Sequence, residues 1–377
     1  MIIMKEDVQK MVMISNQKLW FATTMVMLIF LQYGAAVGSQ RVPAMFVFGD
    51  SLVDVGNSNF LNSLAKSNYL PYGCDFRTGA PSGRFSNGET FADMIGRLLG
   101  IPYLPAFADP NTVGTRILHG VNYASAAAGI LDETGQHYGE RYSLSQQVQN
   151  FQATLNQLRT LMNGTTLSQY LAKSIAILVF GSNDYINNYL MPSIYPSSYI
   201  YNPPDFANLL LNRYTRQILA LHSVGLRKLV LAGVGPLGCI PNQRATGRAQ
   251  PGRCVDYVNQ ILGTFNVGLK SLVDQLNTNH SGAIFVYGNT YGCFGDILNS
   301  PASYGFTVVD RACCGIGQNQ GQITCMPLQV PCQNRSHYVF WDAFHPTEVA
   351  SAILAWRVFS GPPLDSYPIN VQQMSLL

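Results

Sequence analysis

The sequence predicts an α/β fold in which a mostly parallel sheet carries helices on both faces. Two observations lead there. Short continuous apolar runs recur at Ala44 to Phe48, Ser174 to Phe180, Lys228 to Val234 and Ala283 to Tyr287, each the length of a strand buried on both faces. Between and after them lie stretches with apolar residues at helical spacing, and strands alternating with amphipathic helices build parallel sheets.

In chain order, the first run is stopped by Gly49. A helix over Glu89 to Leu99 ends at Gly100, a stop signal reinforced by Pro102. Gln146 to Met162 sets Val148, Phe151, Leu155, Leu158 and Met162 on one helical face among Gln and Asn, and Phe206 to Val224 and Val255 to Leu276 repeat the pattern. A last helix covers Thr347 to Phe359. The Pro- and Tyr-rich piece from Met191 to Pro204 and the Gly- and Cys-rich piece from Gly315 to Cys332 read as long surface loops, because strong helix and strand signals resume on both sides. No internal repeat and no linker divides the chain, so residues 39–377 are expected to form one domain with loop insertions.

Composition bounds the setting. The 377 residues carry 23 Lys+Arg against 20 Asp+Glu, a formal charge of +3, and only 11% are charged, against about 25% in ordinary globular proteins. With 47% hydrophobic residues this excludes a solvated disordered chain, and the near-neutral balance leaves no electrostatic footprint for nucleic acid. Lys5, Lys10 and Lys18, an apolar run from Leu19 to Leu31, and the small residues Gly34, Ala35, Ala36 and Gly38 follow the order of a cleavable secretory signal. A permanent anchor is the alternative, but the strongly apolar part is 13 residues long, where a spanning helix needs about 20. Removing residues 1–38 leaves 377 − 38 = 339 residues with charge 20 − 18 = +2, and no later stretch is apolar enough to span a bilayer.

All eight cysteines lie beyond that segment, and an even count in an exported chain points to disulfides, up to four, whose 105 pairings the sequence leaves open. A zinc site is disfavoured, since Cys313 to Cys332 contains no C-x-x-C pair. Asn163, Asn279 and Asn334 open N-x-S/T sequons that the secretory route can glycosylate.

In open α/β sheets, ligands sit beyond the carboxyl ends of the strands. After the first strand stands Gly49-Asp50-Ser51-Leu52, where a turn glycine precedes a serine at the sheet edge. Val53 replaces the last glycine of a G-x-S-x-G elbow, and taken alone Ser51 is better explained as a helix cap, since such caps far outnumber nucleophiles. After the second comes Gly181-Ser182-Asn183-Asp184, an ordinary turn unless Asn183 aims its amide at an oxyanion. Asp342-Ala343-Phe344-His345-Pro346 spaces a carboxylate to reach an imidazole across one turn. Gly233 to Gly238 satisfies G-x-G-x-x-G, but Pro236 inside it and a Gly/Pro/Arg-rich loop after it oppose a dinucleotide site. Asp50 and Asp54 read as turn-stabilising, the remaining histidines as surface or hydrogen-bonded, and Tyr185 and Tyr189 as core or cleft wall.

Four stretches together resemble the GDSL esterase/lipase family of the SGNH hydrolases, in particular its secreted plant branch. They are Phe46 to Asn59 (FVFGDSLVDVGNSN), Gly120 to Ile130 (GVNYASAAAGI), Phe180 to Asp184 (FGSND) and Asp342 to His345 (DAFH), in family order across the chain. The resemblance implies a flavodoxin-like three-layer α/β/α sandwich on a five-stranded sheet. It further implies Ser51 as nucleophile, His345 as general base and then acid, and Asp342 as its orienting partner. The oxyanion hole would comprise Asn183, the Ser51 N–H and a second-block donor assigned to Gly129, with no metal or cofactor. The expected activity is hydrolysis of carboxylic esters, acyl lipids or wall and cutin-type polymers, outside the cell or in the wall. Acyl transfer to an alcohol, or an inert carbohydrate- or lipid-binding wall protein, are the alternatives. Since free imidazole titrates near 6.5, activity is expected to fall below neutral unless Asp342 raises that value.

Overall fold

The computed structural model describes residues 42–377 apart from 249 and 251; the expected signal segment, residues 1–38, lies outside them. The sheet is built on strands β1 (Met45–Gly49), β2 (Ile175–Val179), β3 (Lys228–Ala232) and β4 (Ile284–Gly288), paired in parallel in that order. The first three are buried at every residue, which is why, apart from Lys228 at the start of β3, they appear in the sequence as unbroken apolar runs. Two short strands, β5 (Val308–Ala312) and β6 (Tyr338–Phe340), form a separate parallel pair. The two-residue β7 (Ser366–Tyr367) closes the main sheet antiparallel to β4.

Beyond β1 the segment His119–Tyr123 adds itself in parallel: Met45 N–H donates to His119 O, Val47 N–H to Val121 O, and Tyr123 N–H to Val47 O, at 3.1, 3.1 and 2.8 Å. Counting that segment second in the chain, the spatial order is 2-1-3-4-5, the flavodoxin-like order. Gly120 permits the approach, at φ 106° and with its missing Cβ lying 1.8 Å from Met45 O.

The main helices are α1 (Phe91–Leu99), α2 (Leu144–Leu161), α3 (Gly164–Lys173), α4 (Pro203–Ser223), α5 (Asp256–Asn279), α6 (Thr290–Asn299), α7 (Glu348–Ser360) and α8 (Val371–Ser375). Helices α2, α4 and α5 pack together, as do α1, α6 and α7, giving the three-layer α/β/α sandwich. Helix α5 shows the driving force: Val258, Ile261, Leu262, Phe265, Leu269, Val273 and Leu276 recur on one face and are buried, each contributing about 1.5–3 kcal/mol. Helix α1 starts at Phe91, two residues later than its apolar pattern suggests, because Thr90 and Asp93 form a reciprocal capping box. Helix α4 starts three residues earlier, since Asn202 caps it through Asp205 N–H and Pro203 suits the first turn. The piece 191–204 is therefore not all loop: it holds a helical turn at Ser197–Ile200 and the start of α4.

Three disulfides form, Cys239–Cys254, Cys313–Cys332 and Cys314–Cys325, and Cys74 and Cys293 stay unpaired, so a fourth bridge is absent. Cys293 is fully buried in the main core on α6, whereas Cys74 is half-buried against a satellite cluster of Tyr72, Phe85, Ala126, Cys313, Cys314, Cys325 and Trp341. Burial pushes both thiols up, to about 11 for Cys74 and about 12 for Cys293. Among the described residues no helix is long and apolar enough to cross a membrane.

Candidate active site

The site lies beyond the carboxyl ends of β1 and β2, where the strand order reverses. Strand β1 ends at Gly49, whose missing Cβ would sit 2.4 Å from Val53 Cγ2 and 2.9 Å from Val179 O; glycine is needed there for space. The chain then turns over Asp50, whose carbonyl accepts Val53 N–H and Asp54 N–H and whose Oδ1 accepts Leu52 N–H at 2.9 Å. Ser51 rides on this turn, half-buried.

Three side chains fix the turn from outside. Gln147 of α2, fully buried, accepts Gly49 N–H on Oε1 and donates Nε2–H to Gly49 O, both at 2.8 Å. Asp54 accepts Gly56, Asn57 and Ser58 N–H, the Ser58 hydroxyl and Ala126 N–H, which ties the first motif to the second. Asn122 donates to Val53 O at 2.7 Å. Asp50 and Asp54 thus serve the turn, and burial raises both carboxyls, Asp50 to about 7. Asp50 Oδ2 is buried without a protein partner.

On the far side of the site, β6 delivers Trp341-Asp342, and the chain returns as Trp341 N–H donates to His345 O at 2.8 Å. Asp342 Oδ1 accepts Phe344 N–H and His345 N–H at 2.9 and 2.8 Å. His345 Nδ1 lies 2.8 Å from Asp342 Oδ1 and 2.9 Å from Oδ2, and Nε2 lies 2.7 Å from Ser51 Oγ. Burial pushes the Asp342 carboxyl up, but the charge and hydrogen bond of His345, then Tyr72 and the Phe344 N–H, outweigh it and hold it below the ordinary value. An ionised carboxylate only accepts, so Nδ1 carries the proton and Nε2 is left to accept from the Ser51 hydroxyl. Tyr72, 1% exposed, donates its hydroxyl to Asp342 Oδ2 at 2.6 Å.

Asn183 opens the turn after β2. Its Oδ1 accepts from Asn187 Nδ2 at 2.7 Å and its Nδ2 donates to Ala128 O at 2.9 Å, which fixes the amide and leaves one N–H over. Asp184 accepts Ile130 N–H, Leu131 N–H and the Thr134 hydroxyl, bracing the third motif on the second, and burial lifts it to about 6.

The second motif offers Gly129 as a backbone donor. That residue lies off the cavity, and a Cβ there would meet Thr134 and Asp184 at 2.5 and 2.6 Å. Ala126 and Ala127 line the cavity instead. The Ala126 N–H is engaged by Asp54 and Ser58 and the Ala128 N–H by Ser125 O. Ala127 adopts φ 62°, and among the described residues its N–H and that of Ser51 have no protein acceptor.

Ser51, Asn183 and His345 open onto one cavity with a mainly apolar wall. Val179, Phe180, Ala232, Leu237, Phe294 and Leu354 line it beyond the strand ends, and Leu64, Ala65 and Tyr69 line it from the loop after β1. Gly233 and Gly235 of the G-x-G-x-x-G stretch face this cavity, and the following loop is closed by Cys239–Cys254. Tyr185 and Tyr189 are buried in the core and do not reach it; Ile186 and Asn187 do. His137 bonds the Tyr195 hydroxyl, and His222 packs on His280, away from the cavity lining. Sequence reasoning missed Tyr72, Gln147, Asn187 and Ala127. No motif marks the first three, and the alanine run at 126–128 hid the fourth.

Comparisons with known proteins agree with this architecture. The sequence model of the family described as GDSL-like Lipase/Acylhydrolase matches residues 45–358. GDSL esterase/lipase At1g71250 of Arabidopsis thaliana is 66% identical over 93% of this chain and 94% of its own length. Two further Arabidopsis thaliana proteins, GDSL esterase/lipase At5g08460 and GDSL esterase/lipase 7, are 54% and 49% identical, over 100% and 93% of this chain and 97% of their own lengths. With a match across nearly the whole chain and a sandwich of the expected order, the protein belongs to the GDSL-like lipase/acylhydrolase family and with it to the carboxylic-ester hydrolases.

Proposed function

We propose that the protein cleaves esters with an apolar acyl part through an acyl-enzyme on Ser51. The observation that carries this is the Asp342–His345–Ser51 relay, at 2.8 and 2.7 Å, at the wall of an apolar cavity. Ser51 Oγ attacks the ester carbonyl as His345 Nε2 takes its proton, and the Asp342 carboxylate steadies the imidazolium that forms. The carbonyl oxygen, now an anion, takes the free N–H of Asn183, the Ser51 N–H and the Ala127 N–H. His345 returns the proton to the departing alkoxide, and a water deprotonated by His345 then releases the acid. Ala127 replaces Gly129 as second-motif donor in this scheme, and a backbone N–H makes the change of residue chemically neutral.

We also propose that the protein works outside the cell. Three disulfides favour an oxidising compartment, and the sequon asparagines Asn163, Asn279 and Asn334 are all exposed. Loss of residues near 1–38 from the isolated protein, and a mass shift on glycosidase treatment, test this.

Ser51→Ala tests the mechanism on a panel of soluble esters of increasing acyl length. Turnover is expected to fall by about 10³-fold or more, with fluorophosphonate labelling abolished. Unchanged hydrolysis by that variant would overturn the scheme.

A further inference from the structure

We propose that Tyr72 is a positioning residue for the Asp342–His345 pair, held in turn by Thr324 of the disulfide-closed segment that follows β5. The proposal rests on the ester-hydrolysis scheme above.

Proton counting gives the direction of each bond. Asp342 is ionised and can only accept, so the single Tyr72 hydroxyl proton goes to Oδ2, at 2.6 Å, a charge-assisted distance. Thr324 Oγ1 lies 3.3 Å from the same hydroxyl, whose proton is already used, so Thr324 donates and Tyr72 oxygen accepts. Burial, and then the Asp342 charge, raises the Tyr72 phenol well above its ordinary value, so it remains a neutral donor throughout the working pH range.

The other donors to Asp342 are local: Phe344 N–H, His345 N–H and His345 Nδ1 all lie within three residues of it. Among the described residues, Tyr72 is the only donor from elsewhere in the chain, 270 residues away. Local bonds move with the loop; a hydroxyl fixed in the surrounding core does not. The Tyr72 ring packs edge-on against Trp341, Phe85 and Tyr69, with centroids at 6.1, 6.0 and 5.3 Å, and Phe85 lies 5.0 Å from the His345 ring.

The segment bearing Thr324 is anchored on both of its sides. Cys325, the next residue, is bridged to Cys314, and Cys314 N–H donates to Trp341 O at 2.8 Å, next to Asp342. Cys325 O accepts the Tyr69 hydroxyl at 2.9 Å, and Leu328 N–H donates to Leu70 O at 2.8 Å. The disulfide segment thus clasps residues 69–72 on one side and the Asp342 loop on the other.

Removing the Tyr72 hydroxyl takes from Asp342 Oδ2 its donor from outside the loop, so the carboxylate charge falls more heavily on the imidazole it orients. Other titratable groups lie near the pair: Asp50, whose charge interacts with His345, Tyr69, whose phenol feels the Asp342 charge, and Lys66 and Tyr138 on the shared cavity wall; none is altered in the test. In Tyr72→Phe, kcat/KM is expected to fall about tenfold, mainly in kcat, the loss of one hydrogen bond to a charged group. The acid limb of its pH profile should move to higher pH. Thr324→Val should do the same to a smaller extent, and Thr324→Ser should restore both.

Ser51→Ala is assayed alongside: if it retains hydrolysis, the underlying scheme fails whatever Tyr72 does. With Ser51→Ala inactive, a Tyr72→Phe enzyme that keeps its rate, or loses rate without a shifted acid limb, overturns the positioning role. Should Tyr72→Phe not fold, as judged by circular dichroism, Thr324→Val decides, and an unmoved acid limb there overturns the proposal.

Discussion

The two halves of the candidate site are held by different means. On one side, Ser51 and Asn183 stand at the ends of β1 and β2, within one or two hydrogen bonds of the sheet. Their turns are braced by buried amides and carboxylates: Gln147 on Gly49, Asp54 on the Ser51 turn, and Asp184 on the stretch beyond Ala128. On the other side, Asp342 and His345 follow a three-residue strand in irregular chain, and what surrounds them is covalent and aromatic: two disulfides, Trp341, Tyr72 and Phe85. A sheet edge can borrow its rigidity from the ladder, while a loop that belongs to no strand of the main sheet needs staples. In the proposed scheme the Ser51 side supplies fixed donors for charge that appears in the transition state, and the loop side must hold a proton relay in line.

The sharpest way to break the sheet side is Asn183→Ala. It removes a preorganised N–H, and kcat is expected to fall about 10²–10³-fold with KM little changed, measured by steady-state kinetics on a soluble ester. A change in KM alone would move Asn183 from the oxyanion to substrate binding.

The loop side is tested by replacing Cys314 and Cys325 together with Ala. Closing an 11-residue separation by a disulfide is expected to contribute about 2–4 kcal/mol, read as a lower midpoint in denaturant unfolding. Activity at a temperature where the variant is folded should fall in the same sense as in Thr324→Val. If stability drops while kcat holds, aromatic packing rather than the staple positions Asp342.

The smallest expected effect concerns Asp50. Unfolded Asp carboxyls release their protons near 4, whereas burial holds the folded values at about 7 for Asp50 and about 6 for Asp184. Through pH 4–7 the folded state therefore binds more protons than the unfolded chain, and stability declines as pH rises across that window. In Asp50→Asn the amide oxygen still accepts Leu52 N–H, and the slope of thermal midpoint against pH should become shallower between 4 and 7. An unchanged slope would assign the decline to Asp54 and Asp184 and to Glu348, which burial also raises, Glu348 to about 7.

Much of this molecule was open to inspection in one dimension. The four parallel strands announce themselves as five-residue apolar runs because both sheet faces are covered, and the long helices by the spacing of residues such as Phe265 and Leu269. Ser51, Asn183, Asp342 and His345 fall in short motifs contained within one turn of chain, and it is the four motifs together, through their resemblance to a family, that single them out. The sandwich class, the family and the ester-hydrolase class also followed from the resemblance those motifs carry.

What the chain could not declare depends on partners distant along it. Tyr72 and Asp342 are separated by 270 residues, Gln147 and Gly49 by 98, and nothing in either neighbourhood prefers the other. The pairing of the cysteines, with Cys74 and Cys293 left over, depends on which thiols the fold brings within bonding distance. The second-motif donor we propose, Ala127 in place of Gly129, could not be chosen from residue type, because accessible backbone N–H groups are set by the path of the chain. Sequence fixes what is periodic or contained in one turn; tertiary packing decides which of those parts meet, since only the closed fold satisfies their buried polar groups together.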